Sequence, residues 1–151
     1  MVRKTKPLPV IGWREWVRLP DLGIDAIKAK VDTGARTSSL HAFNLKEFER
    51  DGKTYARFVV HPAQRSVKGS VSVEAEVVDR RAVRNPGGVG RVELRPVITT
   101  EVEIGADRWP IEITLTRRDE MGFRMLLGRQ AVRRRFVVDV GRSFINGKGK
   151  K

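Results

Sequence analysis

The chain has 151 residues, 40% of them hydrophobic, no cysteine and a net charge of +13. That is enough apolar material for one compact domain; disulfides and thiolate metal sites are excluded, and no apolar run is long enough to span a bilayer. The positive balance predicts attraction to a polyanion, whether RNA, a ribosomal surface or an acidic peptide.

Residues 1–9 are basic and proline-bearing, and are expected to form a flexible arm ahead of a domain over 10–145. No signal-peptide core follows Met1, so a reducing cytoplasm is the expected compartment. In residues 10–19, Trp13 and Val17 share one alternating face and Trp16 takes the other, which predicts a strand whose tryptophans serve the core or a dimer contact. Pro20-Asp-Leu-Gly23 is a turn. Ile27, Ala29 and Val31 then alternate with Lys28 and Lys30, the period of a half-buried strand, and complete a first hairpin. Arg36-Thr-Ser-Ser-Leu40 is rich in hydroxyls, and His41 after it is expected to be a packed structural histidine. Residues 43–48 are mixed, and Arg50-Asp-Gly-Lys53 turns into a strand over 54–60. Val71, Val73, Ala75 and Val77 alternate in the next strand.

A glycine-rich segment, Asn85-Pro-Gly-Gly-Val-Gly90, follows and reads as a hairpin tip. Strands over 98–104 and 109–116 flank the turn Gly105-Ala-Asp-Arg108. A charged loop leads to the apolar run Met125-Leu-Leu-Gly128, a short helical segment over 130–135, and residues 136–140, which read as a buried strand. The stretch from Arg117 to Lys151 holds 11 Lys and Arg against 3 Asp and Glu, so the C-terminal end is markedly cationic. Residues 146–151 lack apolar side chains and are expected to be a disordered basic tail. Many short alternating strands separated by turns predict an all-β closed barrel with one short helix near its C-terminal end.

The functional signal begins at Val31-Asp-Thr-Gly-Ala35. A carboxylate at a strand end, followed by a small hydroxyl residue and a glycine, suits an acid that must be held rigidly. Gly34 lets backbone N–H groups approach the carboxylate and tolerates positive φ, while Thr33 can lock the turn. By itself the string also describes an ordinary tight turn. The second half of the signal is Leu126-Leu-Gly-Arg129, an apolar run closing on glycine.

Together, Val31-Asp-Thr-Gly-Ala35 and Leu126-Leu-Gly-Arg129 resemble the two signatures of retropepsin-type aspartic proteases, with Val83-Arg-Asn-Pro-Gly-Gly-Val-Gly-Arg-Val92 where that family carries its flap hairpin. More narrowly, residues 29–42 and 114–129 are similar to bacterial proteins named ATP-dependent zinc proteases, a RimB-like group associated with the RimK glutamate ligase. The resemblance implies a closed acid-protease barrel with Asp32, Thr33 and Gly34 as catalytic residues. It further implies a substrate cleft bordered by Ala35, Arg36, the flap residues Gly87, Gly88, Val89 and Gly90, and Arg129. Where the retropepsin pattern has an acidic or small residue, this chain has Arg36, so the rim favours an acidic or glutamate-tailed protein as substrate.

Hydrolysis of this kind needs two carboxylates sharing a proton. The chain has one Asp-Thr-Gly, so the expected dyad pairs Asp32 with its twin across a homodimer axis. The internal alternative is Asp139, where Val140 replaces the hydroxyl residue. No metal site and no cofactor are expected: there is no His-Glu-x-x-His motif, only His41 and His61 are available, and neither phosphate-binding glycine pattern occurs. Dependence on ATP would have to come from an ATP-grasp ligase partner. The competing class is a non-catalytic basic barrel that binds RNA or a ribosomal protein.

Overall fold

The computed structural model describes residues 7–63, 69–84, 92–117 and 122–148. Among these residues eleven strands form: β1 (Val10–Leu19), β2 (Ile24–Asp32), β3 (Ser38–His41), β4 (Phe43–Arg50), β5 (Lys53–Val60), β6 (Val71–Glu76), β7 (Asp79–Arg84), β8 (Val92–Ile104), β9 (Asp107–Thr116), β10 (Met125–Gly128) and β11 (Val137–Ser143). One short helix, α1 (Arg129–Val132), lies between the last two. The local chemistry of the turns sets these boundaries. Pro20 opens a single 3-10 turn that Gly23 ends at φ 74°, and Asp51 and Gly52, both at positive φ, make the tight reversal between β4 and β5.

The larger sheet runs β11-β1-β2-β10-β3-β9-β8-β7. It closes on itself because β1 also pairs with β8, Arg18 opposite Glu103, and their side chains form an ion pair across the seam. The closed part is therefore β1-β2-β10-β3-β9-β8, the barrel expected from the strand pattern. A smaller sheet, β4-β5-β6, packs beside it and shares its core: Phe58 and Val60 belong to the same apolar cluster as Ile27, Leu40, Ile113 and Met125. The inward residues of β2 are Ile27, Ala29 and Val31, all buried, with Lys28 and Lys30 facing outward.

One connection organises the functional end of the barrel. Strand β10, from late in the chain, inserts between β2 and β3, running parallel to the first and antiparallel to the second. Residues 33–37 must loop outward to admit it. Strands β7 and β8 form the expected glycine-tipped hairpin, pairing Arg84 with Val92. Its tip, with Gly87, Gly88, Val89 and Gly90, lies outside the described residues.

Three expectations need correction. Residues 136–140 are not a buried strand: only Phe136 is buried, against Trp109, whereas Val137 and Val140 are 53% and 81% exposed. Strand β11 pairs with β1 alone among the described residues, and an apolar run does not say how many neighbours a strand has. The helix is one turn, starting at Arg129 rather than 130 and ending at Val132, because Arg133 takes ψ 127° and leaves the helical region. Of the two places expected for Trp13 and Trp16, the core is corrected: they are half-buried against Phe123 and Phe144, and the tryptophan of the core is Trp109. No helix among the described residues is long and apolar enough to cross a membrane.

Candidate active site

Asp32 ends β2 directly opposite Gly128, the last residue of β10. Its Oδ1 accepts a hydrogen bond from the Gly34 N–H at 2.9 Å, and its carbonyl accepts one from the Ala35 N–H at 3.2 Å. The carboxylate is thus fixed by its own loop. Gly34 matters for room rather than for handedness: it is not among the positive-φ glycines, but an added Cβ would lie 3.2 Å from Asp32 Oδ1 and press the carboxylate a few tenths of an ångström aside. Thr33 and Gly34 are exposed, and Asp32 is half-buried.

The loop is held from below by the strand-to-helix junction. Arg129 and Gln130, the first two residues of α1, donate their backbone N–H groups to the carbonyls of Ala35 and Arg36 at 2.7 and 3.1 Å. Helix-start N–H groups lack partners within the helix, so they suit this use. Arg129 Nη1 also donates to the Thr33 carbonyl at 3.0 Å. The hydroxyl-rich segment contributes Ser38, whose Oγ accepts the Gly128 N–H at 3.0 Å, while Thr114 Oγ1 donates to the Ser38 carbonyl. At Gly128 no side chain fits, because a Cβ would sit 2.5 Å from the Thr37 carbonyl carbon.

Above this floor opens a cleft of about 260 Å³. Asp32, Gly34, Ala35 and Arg36 line it, and Arg84 and Arg95 close it from the β7–β8 hairpin. Asp32 is the single acid among the described lining residues, facing three arginines. Arg129 is not among them; it lies under the loop. Asp139 repeats the local geometry, its Oδ1 accepting the Gly141 N–H at 2.9 Å, but it sits on β11 opposite Gly12 and does not border the cleft.

The arginines of the hairpin were not singled out by sequence reasoning. Their signal is faint: Arg95 falls on the face of β8 opposite Ile98, Val102 and Ile104, and only the pairing of β7 with β8 shows what that face meets.

The two histidines are engaged by neighbouring side chains and backbone. Both rings pack on Phe43, at 4.1 and 4.0 Å between centroids. The His41 nitrogens meet the Arg117 carbonyl and the Arg124 guanidinium, and His61 Nδ1 meets Ser70 Oγ. Among the described residues no group of three or more His, Asp or Glu side chains converges. Partial burial, seconded by the Arg124 charge, lowers the His61 pKa.

This arrangement can be compared with known proteins. The family model described as the retropepsin-like aspartic endopeptidase RimB matches residues 10–149. Over 138 residues the chain is 46% identical to a protein of Shewanella halifaxensis named probable alpha-L-glutamate ligase, covering 91% of this chain and 30% of that one. A protein of the same name from Parasynechococcus marenigrum is 49% identical over 130 residues, covering 86% and 28%. The chain therefore spans less than a third of these curated relatives. The crystal structure of Lpg0085, a protein of unknown function from Legionella pneumophila, superimposes with a TM-score of 0.74 at 32% identity, covering 91% of this chain and 98% of that one. On the strength of this match and of the barrel just described, the chain belongs to the RimB-like family of retropepsin-like aspartic endopeptidases.

Proposed function

We propose that the protein is an aspartic-type peptidase that works as a homodimer on acidic or glutamate-tailed proteins. The observation that carries this reading is the Asp32 carboxylate, held at 2.9 Å by the Gly34 N–H on the floor of a cleft whose other charged lining residues are arginines. Asp32, Thr33 and Gly34 form the catalytic loop, and the exposure of Thr33 and Gly34 leaves its tip open to a second copy. In the dimer, the two Asp32 carboxylates share one proton. The ionised member takes a proton from water as its oxygen attacks the scissile carbonyl. The protonated member donates to the carbonyl oxygen, and the C–N bond then breaks with proton transfer to the leaving amine.

Arg36 and Arg129 supply positive charge around the loop, Ala35 forms the wall beside it, and Gly87, Gly88, Val89 and Gly90 are the proposed flap contacts to an extended peptide. The glutamate-ligase names of the relatives support a substrate carrying added glutamates and an ATP-grasp ligase as functional partner. A cytoplasmic setting accords with such a partner.

The test is cleavage of a poly-glutamate-tailed peptide by the wild-type chain and by Asp32→Asn, with sedimentation measured alongside. Asp32→Asn should lower the rate by at least about a thousandfold, and the active species should sediment as a dimer. Equal cleavage by both variants rejects the aspartic mechanism. Absence of cleavage, with RNA binding that falls steeply with salt, establishes the basic binding module instead.

A further inference from the structure

A second cavity, of about 550 Å³, is larger than the Asp32 cleft and lies at the other end of β2. Trp16, Asp25, Lys28 and Lys148 line it, together with Pro62 and Val71. Its cations rest on rings. Trp16 stacks on Phe144 with centroids 5.6 Å apart, and Lys28 Nζ lies 5.3 Å from the Trp16 centroid and 5.8 Å from that of Phe144. Lys148 Nζ lies 4.6 Å from the Trp16 centroid. Trp16 and Lys28 are cross-strand partners, so the β1–β2 register fixes this pair.

A cation held on a ring differs from one held by a carboxylate. The ring quadrupole orients the ammonium without cancelling its charge, which is left for an anion from outside. At other cations of this surface the protein supplies the anion itself: Arg57 pairs with Glu74, Arg80 with Glu47, and Arg81 with Asp79 and Glu112. Among the described residues no carboxylate pairs with Lys28 or Lys148, although Asp25 borders the same cavity.

Strand geometry joins this cavity to the cleft. Ile27, Ala29 and Val31 are buried, so Lys28, Lys30 and Asp32 leave β2 by its other face. Leu126, which lines the cleft, is the neighbour of Lys30 on that face. Lys28 is therefore four residues from Asp32 along one continuous surface, about 13 Å at the rise of a strand. An extended peptide rises at the same rate, so a chain lying along β2 from the cleft reaches Lys28 at about its fourth residue.

We propose that the cavity at Trp16, Lys28 and Lys148 is an exosite for the acidic tail of the substrate. Carboxylates about four or more residues from the bond presented to Asp32 meet Lys28 and then Lys148, while Trp16 and Val71 cover the methylenes of the glutamate side chains. The inference rests on the peptidase reading for its substrate, but it concerns binding and is tested without turnover. It makes the length of the tail the property that the protein reads.

The experiment measures the affinity of the uncleaving Asp32→Asn protein for oligoglutamates of increasing length, from three residues upward. The series is repeated with Lys28→Gln and Lys148→Gln added together, and with a matched control that adds Lys46→Gln and Lys53→Gln, two exposed lysines of β4 and β5. All are first checked for cooperative unfolding. In the parent and the control, affinity should step up by at least about fivefold once the peptide exceeds about four residues, the range of two exposed ion pairs. Glutamine in place of the distal glutamates should remove the step. The Lys28 and Lys148 variant should bind the shortest peptide as the parent does and show no step. A step of equal size in all three proteins, or none in the parent, overturns the proposal. An unchanged step with loss of single-stranded RNA binding in the Lys28 and Lys148 variant assigns the cavity to RNA instead. If wild type cleaves none of these peptides while the lysine-dependent step persists, the peptidase reading fails and the exosite stands. If it cleaves every length with one kcat/KM and no step is seen, the exosite fails and the peptidase reading stands.

Discussion

Gly128 and Asp32 face each other across the parallel pair β10–β2, and the same glycine lies so close to Thr37 that a methyl group would fall 2.5 Å from its carbonyl carbon. Strand, loop and acid are packed backbone to backbone at this point. The absence of a side chain at residue 128 is what lets the Asp32 loop close over the inserted strand.

Gly128→Ala should therefore push the loop at residues 37–38 outward. Overpacking against backbone that cannot yield costs about 1–3 kcal/mol, and the displaced carboxylate should lose most of its cleavage activity. Thermal unfolding and peptide cleavage measured on one preparation check this. A variant with wild-type stability and rate would show that the loop has slack.

Arg129 offers the converse case. It is exposed, and its guanidinium donates to the Thr33 carbonyl. Arg129→Ala should cost less than about 1 kcal/mol of stability, as exposed polar contacts do. It should lower kcat about tenfold through a looser loop, with KM for a neutral peptide little changed. A change confined to KM would place Arg129 in substrate binding instead.

Glu15 is fully buried, and its carboxylate accepts the N–H groups of Gly12, Ile145 and Asn146, at 2.6, 3.0 and 3.2 Å. It pins the turn after β11 to β1. Glu15→Ala would strand three donors, at about 1–3 kcal/mol for each left unsatisfied, and is expected to be the most destabilising of these substitutions. Urea denaturation measures the loss, and amide exchange at Ile145 and Asn146 should accelerate. Unaltered protection there would exclude the clamp.

His61 makes stability depend on pH. Its pKa is lowered in the fold, first by desolvation and then by Arg124, so the unfolded chain binds its proton more readily. The contribution is complete above the unfolded value, about 6.5, and is lost as pH falls below it towards the folded value. The difference in unfolding free energy between wild type and His61→Gln should shrink from pH 7.5 to pH 5. A constant difference would mean that the imidazole titrates alike in both states.

Much of the molecule was legible in the sequence, because period-two alternation and turn residues report local backbone geometry directly. Ile27, Ala29 and Val31 announce an inward face, and Asp51-Gly52 announces a reversal. Asp32-Thr-Gly34 with Leu126-Leu-Gly128 announced a held carboxylate over an apolar strand. Buried Glu15 was not singled out, although it shares a strand face with Ile11, Val17 and Leu19. What only tertiary structure decided is who neighbours whom. Alternation is the same whichever strand lies alongside, so the insertion of β10 between β2 and β3 is invisible along the chain, and so is the exposure of Val140 at a sheet edge. Arg95 is the sharpest instance. As a string it is one of many cations, and it borders a cleft with Asp32 because strands far apart in the chain share one barrel.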